Sequence, residues 1–335
     1  MAVTARAPGK LVILGEYAVL SGAPALVMAV DRYARARIEP SADRRTHLEA
    51  RLGAATNVSV ASGEPTGYPL VDCVVAASRT AKAVPAWTAS VDSADFFAGG
   101  AKLGLGSSAA ALCAWAGAWA AYCRAHGKAV PIPTAASLVE LHRAFQHGAG
   151  SGLDVATAFS GGVIQYSLDE HGSPRIGSVR LPNGVGFAGV FVGSSASTPD
   201  LVGRYQAWAA AEPLAAGRLK DRLTGLAAAG CEAASAGDAR TFLDAVADYG
   251  EALEALGLAM GAEIVTPEHR RIGLLGRRLG VVYKTSGAGG GDVGLALSLQ
   301  PESLREFEAR VAEMGFLVVG LGLDQRGLIV EESSE

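Results

Sequence analysis

The chain has 335 residues, half of them hydrophobic and 19% charged, with a net charge of −4 at pH 7. This excludes a disordered chain, and it excludes a protein whose overall charge draws it to nucleic acid or an anionic membrane; an anionic ligand here needs a locally basic pocket. The length exceeds what one compact core usually reaches and predicts two domains.

The opening stretch, MAVTARAPGKLVILGEYAVL, lacks the layout of a secretory leader, because Lys10 and Glu16 interrupt any apolar core. Residues 11–38 are apolar runs on either side of SGAP and read as two or three strands. Lys10, in APGKL, reads by itself as a solvated edge lysine. Residues 68–83, 109–126 and 134–147 read as helices. In the third, Thr134 is the expected N-cap, and Leu138, Leu141 and Phe145 fall at helical spacing. Leu103 to Cys123 carries no charge over 21 positions, long enough to cross a bilayer. Its Ala, Gly and Ser content and its opening turn predict a buried helix instead, and no membrane partner.

GGVIQYSL, 161–168, reads as a strand. The Gly-, Pro- and polar-rich 170–186 reads as the connection between domains, which places them at 1–180 and 181–335. Beyond it come a strand in GFAGVFVG and Ala-rich helices from about 200 to 260. Two strands then flank a glycine-rich loop in GVVYKTSGAGGGDVGLALSL, followed by a helix near 302–314 and a strand near 316–322. Helices and strands alternate without a strict βαβ rhythm, so the fold class is α+β. Cys73, Cys113, Cys123 and Cys231 have no metal-binding spacing and read as free buried thiols, with a cytoplasmic location as the default.

Three glycine-rich stretches carry the chemistry. LGLGSSAAAL, 103–112, matches the dinucleotide fingerprint on paper, but no acidic residue follows until Glu140 and no convincing strand precedes it, so that reading fails. It also lacks the lysine of a P-loop. What remains is a glycine loop running into a helix N-terminus, which offers free N–H groups to a phosphate; a tight structural turn before a packed Ala helix is the plain alternative. In KTSGAGGGD, 284–292, there are more glycines than a hairpin needs, which points to backbone lying close to a ligand. In HGAGSGLDVA, 147–156, Asp154 is either a functional carboxylate or simply an acidic residue in a first helical turn.

In this order, APGKLVILGEYAVL, KLGLGSSAAA and KTSGAGGGDVGLAL resemble the three motifs of the GHMP kinases, over nearly the whole chain. Within that family the details are similar to the phosphomevalonate kinase group. Tyr17 stands where mevalonate kinases and galactokinases typically have histidine, Asp292 closes the third motif, and SASTPDLV (195–202) and Lys102 also fit, although Val293 replaces the group's usual cysteine. The first motif of the diphosphomevalonate decarboxylases is missing, and HGAGSGLD is shared with mevalonate kinases.

The resemblance implies a ribosomal-S5-like N-terminal domain, a ferredoxin-like C-terminal domain and an active site between them. It implies ATP and Mg²⁺ as cofactors, with Gly104, Leu105, Gly106, Ser107, Ser108 and Ala109 at the nucleotide and the hydroxyls of Ser107 and Ser108 as metal ligands. Catalytic roles fall to Lys10, Lys102 and Asp154. Substrate contacts fall to Lys10, Tyr17, His147, Ser151, Lys284, Ser286, Gly287, Ala288 and Gly289, with His147 and the neighbouring Gln146 weighed equally against plain helix-end roles.

The implied reaction is phosphorylation of 5-phosphomevalonate to 5-diphosphomevalonate on the mevalonate route to isoprenoids. Mevalonate kinase or another small-molecule GHMP kinase is the alternative, and a non-catalytic nucleotide- or metabolite-binding protein is the alternative from another class. A phosphate acceptor is largely ionised at pH 7, so cations matter more than a strong base, and Lys10, Lys102 and Lys284 suit that task. With an alcohol acceptor, Asp154 becomes a proton acceptor. Mevalonate kinases have a Mg²⁺-binding glutamate about eleven residues before this aspartate; Arg143 stands there, which leaves the metal shell open. The expected partner is a small molecule, and the expected state is a monomer or homodimer.

Overall fold

A computed structural model describes residues 1–53, 55–146, 150–193 and 197–333. The elements run β1 (Ala2–Leu14), a 3-10 turn (Ala18–Ser21), β2 (Ala25–Pro40), β3 (Arg45–Arg51), β4 (Ala55–Ala61), α1 (Pro69–Ser78), β5 (Trp87–Asp92) and the two-residue strands β6 (Phe97–Ala98) and β7 (Ala101–Lys102). Next come α2 (Ser107–Ala125), α3 (Ala135–Phe145), α4 (Leu153–Ser160), β8 (Val163–Leu168), β9 (Pro174–Val179) and β10 (Gly186–Phe191). The rest is α5 (Thr198–Ala211), α6 (Pro213–Ala236), α7 (Ala239–Ala259), α8 (Pro267–Leu279), β11 (Val282–Thr285), β12 (Val293–Ser298), α9 (Pro301–Glu313), β13 (Leu317–Val319) and β14 (Ile329–Ser333).

The first sheet has the order β14-β1-β2-β5-β3-β4, with β8 and β9 branching from β2. Only β3 and β5 run parallel among its described pairs. β1 lies inside the sheet, between β2 and β14, so Lys10 is not on an edge. The second sheet has the order β11-β12-β10-β13 and is antiparallel throughout. Strands and helices there follow βαββαβ, which is the ferredoxin-like arrangement. All six residues of β12 are buried, as expected for a strand covered on both faces. On one face Ile272, Phe307 and Val311 of α8 and α9 form a small core with Val190 and Ala296; the other face joins the main core.

The charge-free segment at 103–123 is the buried helix α2, which packs on β1 and β2. Its small residues allow close approach, and its Trp115 and Trp119 meet Trp87 at ring separations of 5.6 and 5.9 Å. Among the described residues, no helix is long and apolar enough to cross a membrane. Thr134 caps α3 in a reciprocal capping box with Ser137.

One expectation fails locally. The stretch 170–186 is not all connection: β9 occupies 174–179 and pairs with β8. β9 is largely exposed, so nothing in it alternates between core and solvent.

Candidate active site

The register between β1 and β2 shifts at Pro8–Gly9, where Asp31 and Arg32 of β2 are the extra residues, and β1 then continues along β2 beside the first glycine loop. There the Lys10 N–H donates to the Leu105 carbonyl at 2.9 Å, and Lys10 Nζ donates to the Gly104 carbonyl at 3.1 Å. A side chain at Gly9 would strike the Leu105 carbonyl and the Phe96 ring, both 2.9 Å from the added carbon. The loop therefore lies flat against the strand that carries the lysine.

The loop opens α2 at Gly106, whose φ of +82° is left-handed, and no side chain caps this end. The first-turn N–H groups at 107–109 thus have no intrahelical acceptor, and they sit at the positive end of a 19-residue helix. Leu105 and Ala109 are fully buried, so they can offer only backbone. Ser107 is buried as well, while the half-buried Ser108 has its hydroxyl 3.3 Å from His142 Nε2.

Asp154 stands in the first turn of α4, which starts at left-handed Gly152. Its Oδ1 accepts the Val155 N–H at 2.9 Å. An added carbon at Gly106 would lie 3.2 Å from Lys10 Cγ and 3.8 Å from Asp154 Cβ, so lysine and aspartate flank the loop together. Burial pushes the Lys10 ammonium below the ordinary lysine pKa; Asp154, Asp292 and Glu16 pull it back up, and Lys102 adds a smaller downward push. Lys102 itself is exposed, on β7.

The third motif closes on the same place. Asp292, a non-glycine residue at φ +58°, faces the first loop: an added carbon at Gly104 would lie 2.4 Å from its carboxyl carbon. Ser286 Oγ accepts the Val12 N–H at 2.8 Å, and the Tyr17 hydroxyl donates to the Ala288 carbonyl at 2.6 Å. The Tyr17 ring packs on Tyr205 of α5, with centroids 5.3 Å apart. An added carbon at Gly289 would lie 2.3 Å from the Ile264 carbonyl oxygen, and the Gly290 N–H donates to that same oxygen at 2.9 Å. Here the glycines answer to protein packing and positive φ, and close approach of a ligand is not needed to explain them.

The structure thus gathers Lys10, Gly104–Ser108, Asp154 and the 286–289 loop. Lys284 lies beneath that loop with its side chain fully buried against Glu16. Ser151 is buried, and its carbonyl accepts both Arg143 Nη2 at 2.7 Å and the Tyr166 hydroxyl at 2.6 Å. Arg143 also donates to the Gly172 carbonyl at 2.8 Å, so its hydrogen bonds anchor the turn before α4. His147 lies outside the described residues, and Gln146 ends α3.

Sequence reasoning gave no role to Glu16, His142 or His269. His269 Nε2 donates to the Gly291 carbonyl at 3.0 Å, and its Nδ1 accepts from the Tyr283 hydroxyl at 2.8 Å, next to Asp292. The only sequence signal for Glu16 was its place in the first motif. Two open cavities, of about 430 and 400 Å³, lie elsewhere, lined by first-sheet residues such as Arg37, His47 and Ser59, and Arg6, Arg35 and Asp92.

The chain is 29% identical to a phosphomevalonate kinase of Streptomyces sp. strain CL190, over 91% of both chains. It is 27% identical to a mevalonate kinase of Pyrococcus horikoshii, over 99% of this chain and 98% of the other. No protein-family model matches it. Superposition on Streptococcus pneumoniae phosphomevalonate kinase in complex with phosphomevalonate and AMPPNP gives a TM-score of 0.79, at 22% identity, over 96% of this chain and 99% of that one.

The fold is that of the GHMP kinases. In sequence the chain resembles both the phosphomevalonate kinases and the mevalonate kinases of that family. An uncapped helix end beside a lysine suits a phosphate group. Among the described residues, no group of three or more His, Cys, Asp or Glu side chains could hold a metal alone. A Mg²⁺ ion keeps several waters and binds through one or two protein ligands, a part the Ser107 and Ser108 hydroxyls fit, with phosphate oxygens of the ligand completing its shell.

Proposed function

We propose that this chain is an ATP-dependent phosphotransferase that converts 5-phosphomevalonate to 5-diphosphomevalonate. The observation that carries the reading is Lys10, whose ammonium stands at the Gly104 carbonyl, beside an uncapped helix end and within reach of the charges of Asp154 and Asp292. Similarity to a phosphomevalonate kinase across nine-tenths of both chains supports the choice of acceptor.

In the reaction, an acceptor phosphate oxygen bonds to the γ-phosphorus as the bond to the β,γ-bridging oxygen breaks, and ADP leaves. Mg²⁺ supplies charge neutralisation across the phosphates. Ser107 and Ser108, with the first-turn N–H groups of α2, hold the nucleotide phosphates. Lys10 neutralises charge on the moving group, and Asp154 orients Lys10 and the acceptor. The exposed Lys102 adds positive charge at the mouth. No strong base is required, because a phosphomonoester is largely ionised at pH 7. The domains are 1–180 and 181–335, with β14 returning to the first sheet. Four free thiols, three of them buried, support a cytoplasmic placement, and the working assembly is a monomer or homodimer.

Mevalonate phosphorylation is the second reading, favoured by the full-length similarity to a mevalonate kinase. Under it, Asp154 takes the hydroxyl proton. Coupled ADP release with ATP–Mg²⁺ and each acceptor separates the two: turnover on phosphomevalonate alone is expected, and turnover on mevalonate alone overturns the assignment. ATP binding without turnover on either acceptor would leave a non-catalytic binding protein.

A further inference from the structure

Lys284 brings a positive charge next to the second glycine loop, yet its side chain is 0% exposed. Its ammonium donates to Glu16 Oε1 at 2.5 Å and to the Thr285 carbonyl at 2.6 Å, and the Tyr249 ring centre lies 5.9 Å away. To reach a ligand, Lys284 would have to leave both acceptors and the cover above it. Glu16, for its part, holds the loop. The same Oε1 accepts the Gly287 N–H at 3.3 Å, and the Glu16 carbonyl accepts the Tyr249 hydroxyl at 2.7 Å.

Two further bonds fasten the loop on either side, from Val12 N–H to Ser286 Oγ and from the Tyr17 hydroxyl to the Ala288 carbonyl. Tyr17 follows Glu16 directly and is held at φ +61° and ψ −49°, a backbone that a bulky residue rarely adopts without outside support. An added carbon at Gly287 would lie 3.6 Å from Lys10 Nζ. Of the three anchors, Glu16 is the one that holds the loop at Gly287, the residue facing Lys10.

We propose that Lys284 is a positioning residue: paired with Glu16, it sets the 286–289 loop at a fixed distance from Lys10 and touches neither nucleotide nor acceptor. The inference rests on the phosphotransferase reading above. Its chemistry is that of a buried ion pair joining two chain segments 268 residues apart. Removing the lysine alone strands a buried carboxylate whose other oxygen, Oε2, already has no hydrogen-bond partner among the described residues.

The test compares Lys284→Met with the double variant Glu16→Gln/Lys284→Met, which leaves no stranded charge and keeps an acceptor for Gly287. ADP release is measured with ATP–Mg²⁺ and phosphomevalonate or mevalonate, and amide exchange is followed across 286–290. A misplaced loop lowers kcat about 100-fold in Lys284→Met. Acceptor KM should stay within about threefold, loop amides should exchange at least about tenfold faster, and the double variant should recover about tenfold in kcat; these ranges reflect lost orientation with binding retained. An acceptor KM raised tenfold or more at steady kcat, with no recovery in the double variant, would make Lys284 a direct ligand and overturn the proposal. Unchanged kcat and unchanged exchange would overturn it too. Should the unaltered chain release no ADP with either acceptor, the phosphotransferase reading falls, and loop exchange still decides the role of Lys284.

Discussion

The two glycine loops at the site have similar composition and opposite construction. The loop at 103–106 runs into a long helix and ends at a left-handed glycine with no side-chain cap, so its backbone donors point outward at a dipole end. The loop at 286–291 joins two antiparallel strands and has no helix behind it. It is held from within instead, by Glu16, Tyr17, His269 and the Ile264 carbonyl. One loop is shaped to receive charge, the other to fit against protein. Glycine content alone does not separate these cases; what each glycine's absent Cβ would strike does.

Substitutions can break that contrast. The largest expected effect is at Gly289, where alanine adds a carbon 2.3 Å from a backbone oxygen at φ +84°. A left-handed alanine costs about 1–2 kcal/mol and overpacking about 1–3, so Gly289→Ala should lose on the order of 4 kcal/mol. Urea unfolding measures it, and a loss under 1 kcal/mol would mean the second loop is free to move. Next comes Lys10→Met, which removes a cation from the receiving loop. Loss of one preorganised donor of this kind lowers kcat by about 10²–10³-fold. A raised acceptor KM with unchanged kcat would instead make Lys10 a binding residue only.

The third effect is an acid sensitivity confined to the fitted loop. Burial pushes His269 from the ordinary 6.5 down to about 4, so the unfolded chain takes up a proton there before the folded one does. Stability contributed by this site is complete above pH 6.5 and falls as pH drops toward 4, by about 3 kcal/mol in all. Unfolding free energies of the unaltered chain and His269→Asn, measured at pH 7 and 4.5, should converge at the lower pH; parallel curves would remove His269 from the account. The smallest effect belongs to Gly106→Ala. Its added carbon meets the flexible Lys10 Cγ at 3.2 Å, so only the left-handed backbone remains to resist it, at about 1–2 kcal/mol. ATP KM should rise several-fold while the fold survives, and an unchanged KM would take the first loop out of nucleotide binding.

Much of this was readable in the chain itself. The apolar runs of β1 and β2, the buried α2, the Thr134 cap and the hairpin around the third motif all follow from periodicity and turn chemistry. β4 and β9 escaped because they are exposed at sheet margins, where no core selects an alternating pattern; β3 does alternate, but its buried side chains are Thr46, Leu48 and Ala50, too small and mixed to show the period in the sequence. At the site, Lys10, Gly104 and Asp154 were legible through their motifs. The partners that decide their surroundings were not: Glu16 meets Lys284, and Asp292 meets Gly104, only after the two sheets have come together. Pairings across such separations leave no periodic trace. The reason for the glycines of the second loop was hidden likewise, since Ile264 lies in a connection with no signal of its own.

The pairing of β14 with β1 bears on synthesis. Residues 2–6 of the lysine-bearing strand find their outer neighbours at 329–333, and Val330 and Leu328 crowd the small helix residue Gly117. While the ribosome is still making the second half, that strand edge stays open, offering unpaired donors and acceptors to any other nascent chain. β1 is made long before β14, and its outer edge is closed only when β14 arrives.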